Sequence, residues 1–246
     1  TGCIRAEGGL FHACRGPCLG DVLTGSDDPQ EDTVTSAHEL GPDPSSNSVP
    51  GWLAVPTESD RAPVWDSPIP RASKRPPALW LLGAHGGAGV STLESQWAPA
   101  ADSRRGWPSA DSAPFVVIVT RLHAAGLDAA HRLCLQHQAG AVGGCELLGL
   151  VTVAATPGKH PVSLLRRREL VAAAAGQSWH IDRVPELLTA TLGEPATWSP
   201  GDEAVQVKRM ARPPAPTDAV PPSAATAAIE LFRAAGTAWN SRHKHP

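Results

Sequence analysis

A chain of 246 residues with 41% hydrophobic residues has room for one sizeable domain with tails, or two small ones, and enough apolar side chain to bury a core. Aromatics make up only 4% and none is Tyr, so that core must be built from Leu, Val and Ala. A net charge of −3 excludes general attraction to nucleic acid or anionic membranes, and no apolar run reaches the length of a membrane span.

Residues 1–76 carry no sustained hydrophobic period. "DDPQEDTVTSAHELGPDPSSNSVP" is acidic and turn-rich, and "RAPVWDSPIPRASKRPP" is broken by proline. The region is expected to be mostly disordered, its last part a linker. "HACRGPC" sets His12, Cys14 and Cys18 at the spacing of half a zinc site, with Cys3 as the one further thiol. The ligand set is incomplete, so no metal is expected there. The chain opens without a charged-then-apolar export pattern, which predicts a cytoplasmic protein with reduced thiols.

From residue 77 the character changes. "ALWLLGA" (78–84) is an apolar run ending in glycine, a buried strand. "STLESQW" opens a helix with Leu93 and Trp97 on one face. "ADSRRGWPSADSAP" reads as a loop, and "FVVIVT" (115–120) as a second buried strand of parallel-sheet type. "GLDAAHRLCLQHQAG" is a helix ended by Gly140; "CELLGLVTVAA" (145–155) is a third strand. "PVSLLRRRELVAAAAG" is a helix with Pro161 at its start and Gly176 past its end. "SWHIDRV" is a short fourth strand and "PELLTATLG" a short helix. Cys134 and Cys145 fall in a helix and a strand, which predicts buried thiols.

Alternating strands and helices specify βαβ units, hence a small α/β three-layer domain with a parallel sheet over residues 77–194. A second proline-rich linker is expected over 195–222, and an amphipathic helix over 223–240 with Ser223 as its N-cap. Ile229, Phe232, Ala235 or Gly236, and Trp239 form one apolar stripe on that helix, suited to docking on the domain or, alternatively, to a partner.

The stretch nearest to chemistry is "GAHGGAGVSTL", residues 83–93. A phosphate-binding loop works because glycines let backbone N–H groups converge on an anion at a helix start. The full pattern adds a Lys for the β and γ phosphates and a Ser or Thr for magnesium. Gly86, Gly87 and Gly89 supply the turn and Ser91 the hydroxyl, but Val90 holds the lysine position. A glycine-rich turn that binds nothing fits the same letters. A dinucleotide fingerprint fails because Thr92 stands at the third glycine and Thr120 and Arg121 follow the next strand. An esterase oxyanion loop at 85–88 fails for want of a G-x-S-x-G elbow.

The same stretch resembles the deviant Walker A loop of the ParA/MinD group of P-loop ATPases, K-G-G-x-G-K-[ST]-[ST]. In that match His85 replaces the signature lysine, Ala88 is the variable position and Val90 replaces the phosphate lysine, while Gly86, Gly87, Gly89, Ser91 and Thr92 are kept. "VVIVTRLHAAGLDAAHRL" and "ELLGLVTVAATPGKHP" resemble later strands of that group, with Ala155 and Thr156 where a base-reading Asn often stands. The chain is also similar to a family of high-GC bacteria with an "AHGGAG-x-STL" loop and an "LLGLV" strand. No strand in this reading ends in the Asp that would steer magnesium or water.

The resemblance therefore implies a non-catalytic pseudo-ATPase, a regulatory or scaffolding protein in partition or positioning. It would act through a protein partner or a homodimer, with ATP and magnesium as the only cofactors it suggests. The alternatives are an ATPase completed by Arg104, Arg105 or a partner, and an interaction module using the C-terminal helix. His123, His131, His137, His160 and His180 form no triad in sequence, "RRR" at 166–168 reads as a solvated helix face, and "KRMAR" is too short to signal nucleic-acid binding.

Overall fold

The computed structural model describes residues 54–71, 75–109, 112–189, 191, 194–203 and 214–244. The chain divides into Thr1–Ser46 and Asn47–Pro246, and everything described belongs to the second unit. Cys3, His12, Cys14, Cys18 and Trp52 lie outside the described residues.

Five parallel strands form one sheet: β1 (Leu79–Gly83), β2 (Ala100–Asp102), β3 (Phe115–Leu122), β4 (Glu146–Ala154) and β5 (Ser178–Ile181), in the order β2-β1-β3-β4-β5. The helices are α1 (Val90–Gln96), α2 (Ala124–Gln138), α3 (Val162–Ala175) and α4 (Pro222–Lys244). β1 is buried along its whole length, and its side chains alternate between two cores. Leu79 and Leu81 join a cluster with Leu93 of α1 and Leu231 of α4. Trp80 and Leu82 join the opposite one with Leu127 of α2 and Val171 of α3. The fold is thus three-layered α/β, as the alternation predicts.

Three features depart from the sequence expectations. First, the expected loop after α1 contains β2, whose register pairs Leu79 with Ala100 and Leu81 with Asp102. This unexpected strand ends in an aspartate, Asp102. Second, the described residues after β2 carry no crossover helix. Trp107 fills the space instead, fully buried in the cluster of Trp80 and Leu133.

Third, part of the stretch assigned to the linker, 54–71, packs against that substitute. Trp65 N–H donates to the Trp107 carbonyl at 2.9 Å, Trp107 N–H to the Pro63 carbonyl at 2.8 Å, and Trp65 Nε1 to the Ser103 carbonyl at 2.8 Å. The buried Gln136 of α2 exchanges two bonds with the Ala62 backbone, 2.9 and 2.8 Å. These bonds satisfy polar groups that burial would otherwise penalise by about 1–3 kcal/mol each.

The described part of the second proline-rich stretch, 195–203 and 214–222, is also held. Trp198 N–H donates to the Gln96 carbonyl at 2.7 Å, and the Trp198 ring stacks on Phe232 at 5.3 Å. α4 starts with proline, whose missing N–H is no loss in a first turn. Its buried face is Ala224, Ala225, Ala227, Ala228, Leu231 and Ala235, small residues that let the helix lie close to its neighbours. Ser223 does not cap its own helix: its Oγ accepts from Asp182 N–H at 3.1 Å, which ties the end of β5 to α4. The "PELLTATLG" helix is a 3-10 turn over Pro185–Leu188. β4 carries a bulge, since Val116 pairs with Leu147 but Val117 with Gly149, so Leu148 is the extra residue.

Candidate functional site

The chain leaves β1 to one side for β2 and returns to the other for β3. That reversal opens a crevice at the carboxyl ends of β1 and β3, where open parallel sheets bind their ligands. The loop 85–89 and the Arg121–His123 corner both lie there.

The loop bends where glycine is required. Gly87 has φ 78° and Gly89 φ 106°, both left-handed, and Gly89 immediately precedes α1. Gly86, Gly87 and Ser91 are exposed. Ala88 and Val90 are not: they are 2% and 8% exposed and belong to the α1–α4 core. A Cβ placed on Gly83 would sit 3.0 Å from Val90 Cγ2. The side chain in the lysine position is therefore a packing element aimed into the sheet.

His85 is occupied within the loop. Its Nε2 accepts from Arg121 N–H at 3.2 Å, which leaves the proton on Nδ1 to donate to the Gly86 carbonyl at 2.8 Å. Arg121 then crosses the crevice. Its Nε donates to the Gly87 carbonyl at 3.1 Å and Nη1 to the Ala154 carbonyl at 3.2 Å, so one guanidinium joins the loop to the end of β4. His123 caps α2, its Nδ1 accepting from Gly126 N–H at 2.9 Å, and its ring lies 5.0 Å from that of His85. Burial, then the charges of His85 and Arg121, hold the His123 pKa below the ordinary histidine value. Arg121 supplies the corner's positive charge.

Gly126 permits this close approach: a Cβ there would meet the Arg121 carbonyl at 2.6 Å and Thr120 Oγ1 at 2.8 Å.

Beside the loop lies a cavity of about 80 Å³, walled by Thr92 and Gln96 of α1, Arg121 and Val153, and covered by Arg183 and Leu187. It includes two of the sequence-predicted loop residues, Gly89 and Thr92. Arg104 and Arg105 do not reach it. Both adopt left-handed φ, 55° and 62°, and line a separate opening with Arg61 and Arg132, next to Gly83 and Ala84. Asp102 is turned to its own loop, its Oδ1 accepting from Arg104 N–H at 2.7 Å. A wider groove of about 820 Å³ lies at the opposite, amino ends of the strands, between Ala78, Phe115 and Trp239.

Two further histidines hold the sheet and its neighbours. His137 Nε2 accepts from Leu147 N–H at 3.3 Å, and the His180 ring nitrogen bonds Thr152 Oγ1 at 3.0 Å. Of the three arginines in "RRR", Arg167 pairs with Asp128 of α2. Cys134 and Cys145 are buried free thiols, and burial raises their pKa values to about 12 and about 11. Among the described residues no group of three or more His, Cys, Asp or Glu could hold a metal ion, and no helix is long and apolar enough to cross a membrane.

No protein-family model, curated protein or solved structure matches the chain.

Sequence reasoning passed over Arg121, Arg183 and Gln96. A charge closing the apolar run "FVVIVTR" was the available signal for Arg121. Arg183 and Gln96 had none.

Proposed function

We propose that the protein is a non-hydrolytic α/β module of the pseudo-ATPase kind, a regulatory or scaffolding protein that acts in the cytoplasm through a protein partner or a second copy of itself. The observation that carries this reading is the fate of the loop. The two positions that carry lysine in the resembled loop are committed to the protein itself, Val90 to the core and His85 to Arg121, and the Gly87 carbonyl ties the loop to the Arg121 guanidinium. A loop held on both sides by its own neighbours has little freedom to wrap a nucleotide. The role in partition or positioning follows from the loop's resemblance to the ParA/MinD group.

The test is turnover. Purified protein with magnesium and ATP or GTP is expected to release phosphate no faster than buffer. A second reading, a working hydrolase, draws support from Asp102 at the end of β2 and from Arg104 and Arg105 beside it. Turnover above buffer that disappears in Asp102→Asn would establish the hydrolase and end the pseudo-ATPase reading.

A further inference from the structure

The 80 Å³ cavity beside the loop brings together side-chain hydrogen-bond donors that no carboxylate pairs with. Arg121 bonds only two neutral backbone carbonyls. Arg183 makes no side-chain hydrogen bond and no ion pair among the described residues. The one carboxylate in the wall, Asp182, is 76% exposed, and its Oδ1 lies 4.0 Å from His180 Nε2. Gln96 is 1% exposed, and its Nε2 has no acceptor although the side chain lines the cavity.

Arg121, Arg183, Gln96 and Thr92 therefore line one small space. Like charges in proximity repel, and a protein keeps such a pair without acid partners at a cost that an anion would remove. The two arginines do sense each other: burial first, then Arg183, lowers the Arg121 pKa. An acceptor-only group of high charge satisfies every one of these donors at once. A carboxylate brings one negative charge; a phosphate brings nearly two, which matches two arginines. Size agrees. At about 10–15 Å³ per water-sized probe, 80 Å³ holds roughly five to eight such units. That is room for a phosphate group.

We infer that this cavity is a binding site for a phosphate dianion, free or as the head of a small phosphomonoester, held by Arg121, Arg183 and Gln96. The site stands on these side chains and does not depend on whether the protein hydrolyses nucleotide.

Isothermal titration of the full chain with inorganic phosphate tests it, with sulfate as an isosteric dianion and acetate as a monoanion. Saturable binding of one phosphate, shared by sulfate and not by acetate, is expected. Arg183→Gln removes a half-exposed charge with little risk to the fold and should weaken binding roughly tenfold to a hundredfold. Gln96→Leu keeps the volume, deletes the unsatisfied amide and should weaken binding while leaving the melting temperature unchanged or raised. Arg104→Gln, in the separate opening, should bind as the parent does. Glycerol phosphate distinguishes the sources: tighter binding than inorganic phosphate assigns a monoester, equal or weaker binding assigns the free ion. No saturable binding at millimolar phosphate, or undiminished binding in both Arg183→Gln and Gln96→Leu, overturns the site. Failure here leaves the turnover assay untouched, and turnover leaves this result untouched.

Discussion

Val90→Lys restores the charge that the loop lacks, and it is expected to bring no gain. Val90 is 8% exposed, and its Cγ2 would stand 3.0 Å from a Cβ on Gly83, so the site has no slack for a longer side chain. Full burial of a side chain this size contributes about 1.5–3 kcal/mol. A lysine keeps part of that contact through its stem but must carry its ammonium out to water. The net loss should be about 2 kcal/mol. A domain of ordinary stability, about 5–15 kcal/mol, survives this, so binding remains measurable. Urea unfolding should show a lower midpoint at an unchanged slope. Calorimetry with magnesium and ATP should show no tightening. A lysine that reached a phosphate would instead add a charge-assisted bond of about 1.5–3 kcal/mol, a tenfold to hundredfold gain. Parent-like stability together with that gain would refute the placement of Val90 in the core and restore a functional phosphate loop.

Gly149→Ala should destabilise the protein by about 2–3 kcal/mol or more, because a Cβ at φ 154° would meet the Gln177 carbonyl at 2.5 Å; Gly86→Ala, with open space around it, should melt within a degree or two of the parent. His123, His137 and His180 have pKa values lowered from 6.5, with burial the largest cause in each. Protonation therefore favours the unfolded chain: stability is complete above about pH 6.5 and is lost as pH falls from there through the lowered folded values. A melting temperature that stays flat from pH 7.5 to 5 would contradict this. A chain truncated to begin at residue 77 should be less stable than one beginning at residue 54 by several kcal/mol, since it loses Trp65 and the Ala62–Gln136 bonds; equal denaturation midpoints would show that this segment does not support the domain.

The strands that the sequence reveals are those whose signal is local. "FVVIVT" is buried throughout and "ELLGLVTVA" from Leu148 on, and their runs of apolar residues say so. β2 is three residues, Ala100–Asp102, with no branched side chain, and it becomes a strand because the edge of β1 offers partners. The packing of residues 54–71 was hidden for the same reason. It rests on Trp65, Trp107 and Gln136, contacts without period whose partners are as many as 74 positions apart. Proline and acidic composition mark a stretch poor in helix and strand, and such a stretch still packs when a buried tryptophan anchors it. In the site, the glycines and the absent lysine were legible. The direction of Val90 was not, because a β-branched residue at a helix start points inward or outward according to what covers it. Arg121 could be read as a charge at a strand end, but its acceptors at Gly87 and Ala154 lie 34 and 33 positions away.

α4 has a consequence for the order in which the molecule can be made. The face of the sheet that carries Leu79, Val117 and Val151 is closed by Ala224, Ala228 and Leu231, and those residues leave the ribosome after every strand. About sixty residues separate the end of β5 from the end of α4, which at about 5–20 residues per second is roughly 3–12 seconds of translation. For that interval one face of a complete parallel sheet is covered by α2 and α3, and the other only by α1 and its neighbours. The nascent chain then leaves part of an apolar face open, a surface that a chaperone recognising exposed Leu and Val would hold until α4 arrives.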